Sequence, residues 1–257
     1  MKLRHTTISI PAGSAWLEGE FAHAPDVRGL AVLLRSAGGA RADSPEAAVA
    51  EILQQAGFAT LVINLLTAHE ETRDPDARFN VPQMANRVLA VAEWIGHQPP
   101  LAGIAVGLVA GGTASGAAIR AAWKSPEHFA AIVCGAGRPD LAGATPLNSL
   151  ATPVRFVVGA ADPHTPMLMS AYEHLGAPRD WQTLLDVGEE FAEPGAIEQL
   201  ARLVADWLVQ KLPPPQTPSA ASLAAPSSAA AASSSAAPSS GLPTLQAPTG
   251  GRHASNE

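Results

Sequence analysis

Residues 106–118, VGLVAGGTASGAA, set an apolar run directly before a glycine pair and a helix-forming stretch. A strand–turn–helix junction of that kind, written G-x-S-x-G, exposes a nucleophilic serine on a sharp turn. Here the turn reads Ala110-Gly111-Gly112-Thr113-Ala114, with Gly112 at its apex and no serine. Other groups that could attack a carbonyl stand nearby. Ser115 lies on the first turn of the expected helix, about 4.5 Å farther along its axis than Gly112, where its hydroxyl can bond back to a backbone carbonyl. Thr113 occupies the helix start, where capping or exposure is expected. Cys134, the single cysteine, ends a strand in AAIVCGAG. Free cysteines tend to be buried and inert, and no histidine is close in sequence to activate this one.

Acid–base and metal-ligand types are more scattered. Asp162 and His164 share the stretch ADPHT. Asp162 could hold a histidine that approached it, whereas His164 is expected to point elsewhere. His69, Glu70 and Glu71 lack the second histidine of H-E-x-x-H, and consecutive residues do not share a helix face, so they read as a solvated loop. Glu189 and Glu190 form a short acidic run that reads as a solvated loop; the sharper alternative pairs Glu189 with Arg35. His5, His23, His97, His128, His174 and His253 stand alone and read as structural or surface residues. Gly38-Gly39 and Gly111-Gly112 match neither phosphate-loop pattern. No metal and no cofactor is expected.

The elements that would position these groups alternate along the chain. Residues 5–10 and 16–22 alternate as strands do around Pro11–Ser14, predicting an antiparallel hairpin. Residues 29–34 form a continuous apolar run, as a buried parallel strand does. Ser44, Pro45 and Glu46 then read as N-cap, first helical residue and first-turn acid of a helix ending at Gly57. Strands are predicted over 58–66, 103–109, 129–135, 153–160 and 181–187, and helices over 82–97, 113–123, 166–175 and 195–211. This pattern is α/β: a mostly parallel sheet with an N-terminal antiparallel hairpin and helices on both faces. In such sheets, sites form at the C-terminal ends of the strands.

This order of elements resembles the α/β-hydrolase fold, and the local sequence resembles its dienelactone-hydrolase-like branch. NLLTAHEE (64–71), GAGRPDLAG (135–143), VVGAADPHTP (157–166) and EEFAEPGA (189–196) carry the resemblance, which covers roughly residues 5–211. It implies a nucleophile at the elbow, an acid after a later strand and a histidine in the loop after the last strand. Counted from GRPDLAG, the nucleophile falls on Gly112, the acid on Asp162 and the histidine on Glu189; no histidine lies between Asp186 and Gly195. The His-Gly opening of the family's oxyanion loop falls on Arg35-Ser36. Without a hydroxyl or thiol at the elbow no acyl-enzyme can form there, and without the histidine no base links nucleophile and acid. The implied reading is a pseudoenzyme with a binding, scaffolding or regulatory role. The alternative is an active hydrolase of esters, lactones or thioesters whose nucleophile has moved to Ser115, Thr113 or Cys134. Arg35, Ser36, Gly111 and Thr113 are the candidate ligand contacts.

The chain of 257 residues carries 16 Lys and Arg against 23 Asp and Glu, with no basic run, which argues against nucleic acid and anionic membranes. One cysteine precludes an internal disulfide framework and fits a reducing compartment. The N-terminus lacks the apolar core of a signal peptide, and no stretch of about 18 apolar residues suggests a membrane span. A cytoplasmic protein is expected. Composition changes after Leu212: residues 213–257 are rich in Pro, Ser and Ala and lack an apolar face, so a disordered tail is expected after a 1–212 domain. Such a tail would be a passive extension or a linker to a docking segment at Leu242–Pro248. The expected partner is a small molecule in a remnant pocket, or a protein met through the surface or the tail. Sequence does not define the oligomeric state.

Overall fold

The computed structural model describes residues 2–39 and 44–213. The tail expected from 213 onward, with its 242–248 segment and His253, lies outside the described residues apart from Pro213. One eight-stranded sheet has the order β1-β2-β4-β3-β5-β6-β7-β8. Strands β1 (Arg4–Ala12) and β2 (Ala15–His23) form the hairpin, and β2 joins the sheet antiparallel to β4 (Ala59–Asn64). From β4 onward all pairings are parallel: β3 (Leu30–Arg35), β5 (Val106–Ala110), β6 (Ala131–Gly135), β7 (Val154–Gly159) and β8 (Arg179–Leu184).

The apolar runs are continuous because both faces of the sheet are buried. In β3, Leu30, Val32 and Leu34 point into one apolar cluster while Ala31 and Leu33 point into another. Strand β6 divides in the same way, with Ile132 and Cys134 on one side and Ala131 and Val133 on the other. The first cluster is closed by α3 (Val81–Gly96), α4 (Ala114–Lys124) and α6 (Thr165–Glu173). The second is closed by α1 (Pro45–Gln55) and α7 (Ala196–Lys211). Helix α1 begins as its sequence predicts: the Ser44 side chain accepts from Ala47 N at 3.2 Å and Pro45 opens the first turn. Helix α7 approaches β5 closely because residue 107 is glycine; a Cβ there would lie 2.5 Å from Leu208 Cδ2. Among the described residues no helix is long and apolar enough to cross a membrane.

One stretch departs from expectation. Residues 68–73, expected as a solvated loop, form the short helix α2 (Ala68–Arg73). A capping box starts it: Thr67 Oγ1 accepts from Glu70 N, and the Glu70 carboxylate accepts from Thr67 N. The same carboxylate meets Arg87 of α3, whose Nη1 donates to Glu70 Oε2 at 2.9 Å and to Leu65 O at 2.6 Å. Arg87 is 5% exposed at its side chain, so leaving it unpaired would strand a buried charge. A second short helix, α5 (Ala144–Ser149), follows the GRPDLAG turn and is also absent from the sequence prediction.

The Arg87 hydrogen bond is the main cause holding the Glu70 carboxyl at about 2, below its ordinary 4.5. A carboxylate whose folded value is depressed adds stability above its unfolded value and loses it as pH falls toward the folded one. With allowance for its partial exposure, Glu70→Gln is expected to lower stability by roughly 2 kcal/mol at pH 7. Denaturant unfolding should show that difference shrinking as pH is lowered from about 4.5 to about 2.

Candidate functional site

A cleft of about 910 Å³ opens at the C-terminal ends of the parallel strands. Ser36 follows β3, Gly111 and Gly112 follow β5, Gly137 and Arg138 follow β6, Asp162 and His164 follow β7, and Glu189 to Phe191 follow β8; all of them line it. The positions matched to the hydrolase triad, Gly112, Asp162 and Glu189, therefore face one cavity.

The elbow backbone is intact. Gly112 has φ +50, the left-handed conformation that glycine adopts freely. Its carbonyl accepts from Arg138 N at 2.9 Å and from the Ser115 hydroxyl at 2.9 Å. Gly137, at φ +114, packs directly against it: a Cβ on Gly137 would sit 2.5 Å from Ser115 Oγ and 2.6 Å from Gly112 N and O. A Cβ on Gly112, by contrast, would meet only Ser36 Oγ, at 3.5 Å. The turn thus aims its apex into open space and carries no side chain there.

The other nucleophile candidates are turned away from the cleft. Ser115 is 0% exposed, with its hydroxyl donating to Gly112 O. Burial pushes the Cys134 thiol up to about 12, against a smaller lowering by Ser115. Thr113, expected to cap the helix or face solvent, does neither: it is buried, in αR conformation, and its Oγ1 has no hydrogen-bond partner. The preceding αL turn already swings the chain into the helix, which directs this side chain inward.

Arg35 and Glu189 do not pair. Arg35 is held at the C-terminal end of β3 by Glu46 at 3.3 Å, by Asn64 Oδ1 at 2.8 Å and by Gly39 O at 3.2 Å. The buried Asn64 of the adjacent strand captures the guanidinium before it can cross the cleft. Of the expected ligand contacts, Ser36 and Gly111 line the cavity, while Arg35 and Thr113 are not among its lining residues.

Glu189 instead meets His164, whose Nδ1 lies 2.7 Å from Glu189 Oε2 and 3.3 Å from Asp162 Oδ1. The expectation that His164 points elsewhere is therefore overturned. The cause is local: His164 N donates to Asp162 Oδ1 at 2.7 Å, an Asx turn that folds the ring back over the carboxylate. The Asp-Pro-His spacing was the available signal, since an aspartate bonding to the backbone two residues on makes that turn. The two loops are then fixed to each other by Ala160 N to Leu184 O at 2.8 Å and Ala161 N to Val187 O at 3.0 Å. Gly159 permits this contact, because a Cβ there would lie 2.2 Å from Val187 O. No metal was expected, yet Asp162, His164 and Glu189 place one ligand-type atom each within 4.8 Å of one another.

Residues outside the sequence reading complete the wall. Arg138 lines the cleft and is held by Asp140 through Nε at 2.9 Å and Nη2 at 2.8 Å; that hydrogen-bonded pairing raises the guanidinium's already high pKa. Ala136 (φ 53) and Phe191 (φ 51) line it in left-handed conformations unusual for residues with a Cβ.

Two outcomes follow from this packing. Gly137→Ala should destabilise the fold by about 3 kcal/mol, and Gly112→Ala by only about 1–2 kcal/mol, measured by denaturant unfolding. Cys134 should resist thiol reagents at pH 8 in the native protein and react fully once unfolded.

No family model matches the chain. A dienelactone hydrolase from Anabaena variabilis superposes with a TM-score of 0.77 at 32% identity, over 82% of this chain and 100% of that one. A dienelactone hydrolase-like promiscuous phosphotriesterase from metagenomic libraries shares the fold at a TM-score of 0.65 and 15% identity, covering 82% and 99% of the respective chains. Among curated proteins, a provisionally named phosphoribosyl transferase of Mycobacterium tuberculosis is 33% identical over 212 residues, 82% of this chain and 47% of that protein. The chain thus spans about half the length of the curated relatives it matches. The strand order, the left-handed elbow turn and the full-length match to the Anabaena enzyme agree: the chain belongs to the dienelactone-hydrolase-like branch of the α/β-hydrolase superfamily.

Proposed function

We propose that this chain uses its cleft to bind a small molecule and does not hydrolyse it through an acyl-enzyme. The observation that carries the reading is Gly112: the elbow apex faces the cavity with no side chain. Covalent acyl transfer needs an activated hydroxyl or thiol there. Ser115 and Cys134 are buried and do not line the cavity, so they are poorly placed to substitute. The position matched to the catalytic histidine carries Glu189, and a carboxylate cannot take the histidine's role between serine and acid. What persists is a cavity lined by apolar residues such as Leu33, Val109 and Leu200 together with a few polar groups, the usual character of a small-molecule site. The transferase name of the curated relatives belongs to proteins of which this chain matches about half the length.

A second reading, an active hydrolase with a relocated nucleophile, is favoured by one observation. The Ser36 hydroxyl stands 3.5 Å from the position a Cβ on Gly112 would take, in the same cleft as His164.

The test is turnover of short p-nitrophenyl esters by the natural chain, by Ser36→Ala, and by Gly112→Ser/Glu189→His. The natural chain is expected to stay at background, and the double variant to rise about a hundredfold or more above it. Turnover by the natural chain that Ser36→Ala abolishes would overturn the binding-only reading in favour of the second.

A further inference from the structure

The structure assigns to the mouth of the cleft a site for a divalent transition-metal ion, held by Asp162, His164 and Glu189. This goes beyond the proposed binding role and does not depend on it, because no nucleophile is involved.

The geometry suits a cation. Metal–ligand bonds of about 2.0–2.2 Å set neighbouring ligand atoms about 3–3.5 Å apart. His164 Nδ1 stands 3.3 Å from Asp162 Oδ1, inside that range, and 2.7 Å from Glu189 Oε2, a contact that the half-exposed Glu189 side chain must open slightly to admit the ion; one ligand atom from each residue falls within 4.8 Å of the others. A single proton on Nδ1 must be shared between the two carboxylates. A cation in its place would serve both.

Burial supplies an independent reason. The Asp162 side chain is 1% exposed, and among the described residues no lysine or arginine pairs with it. Its hydrogen bond comes from His164 N, a neutral donor. A buried carboxylate without a fixed cation is costly, and the cost is relieved by positive charge delivered from the cleft. Apart from Glu46, which Arg35 holds, the described lining contains Asp162, Glu189 and Glu190 against one guanidinium, Arg138, which Asp140 already holds. Local potential therefore favours a cation.

The donor set narrows the metal class. One imidazole and two carboxylates suit zinc, manganese, iron, cobalt or nickel better than calcium or magnesium. Three protein ligands leave coordination positions free toward the cavity. The ligands are pre-positioned, since the Asx turn fixes His164 over Asp162 and the Ala161 N to Val187 O bond fixes the Glu189 loop beside them.

The test is titration of the chelator-treated full chain with cobalt and with zinc, read by calorimetry and by the cobalt absorption spectrum. One ion per chain is expected. His164→Ala and Glu189→Gln should each weaken binding at least about tenfold, while His69→Ala leaves it unchanged. Glu189 is half-exposed, so Glu189→Gln tests the ligand role without a core change, and its unchanged melting temperature would verify the fold. Absence of saturable binding would overturn the proposal, as would binding undiminished in both His164→Ala and Glu189→Gln. Neither result bears on ester turnover, so the metal site and the binding-only reading fail separately.

Discussion

The contact between Gly137 and Gly112 is the constraint on which the site depends. Two backbone segments from neighbouring strand ends approach until no Cβ fits on Gly137. That approach lets Arg138 N and the Ser115 hydroxyl reach the Gly112 carbonyl, which holds the left-handed turn. Once the turn is held, α4 must start inward, Thr113 and Ser115 must be buried, and residue 112 must face the cavity. The elbow is thus maintained by packing that does not involve a nucleophile. The shape of the turn does not depend on a side chain at residue 112.

The same separation holds across the cleft. In the hydrolase arrangement the acid meets a histidine from the loop after the last strand. Here that loop delivers Glu189, and the histidine comes from the acid's own loop, two residues past Asp162. An imidazole therefore still lies between the two loops, but with the order of donors reversed. Its Nδ1 lies within reach of both carboxylates. Left-handed Ala136 and Phe191 on the cavity wall show that the surrounding packing imposes conformations their own side chains disfavour.

Away from the cleft, buried charges are managed by close partners. Arg87 is satisfied by Glu70 and Leu65 O. Arg155 lies over the Trp207 ring and bonds Asp180, Asp206 and Leu203 O, tying β7 to α7. Asp162 is the exception: it is deeply buried, no lysine or arginine among the described residues pairs with it, and it lines the cavity. That contrast gives the cleft its chemical character.

Local sequence determined the elements and their layering. The apolar runs of the parallel strands, the Ser44-Pro45-Glu46 helix start and the alternation of the hairpin act through near neighbours, and the sheet followed from them. The absence of a nucleophile at Gly112 was equally plain, because it concerns one position in a recognisable turn. Partner choice was not legible. Glu189 was read as part of a solvated loop, with Arg35 as its alternative partner, but Asn64 and Glu46 hold Arg35 and Glu189 meets His164; His164 was expected to point elsewhere, but the Asx turn folds it in. Glu70 was expected in solvent, and Arg87 on a helix seventeen residues on draws it into an ion pair. Periodicity and capping are short-range and can be read along the chain. Which charge meets which depends on distances set only when separate strand ends converge, and that was decided by the tertiary structure.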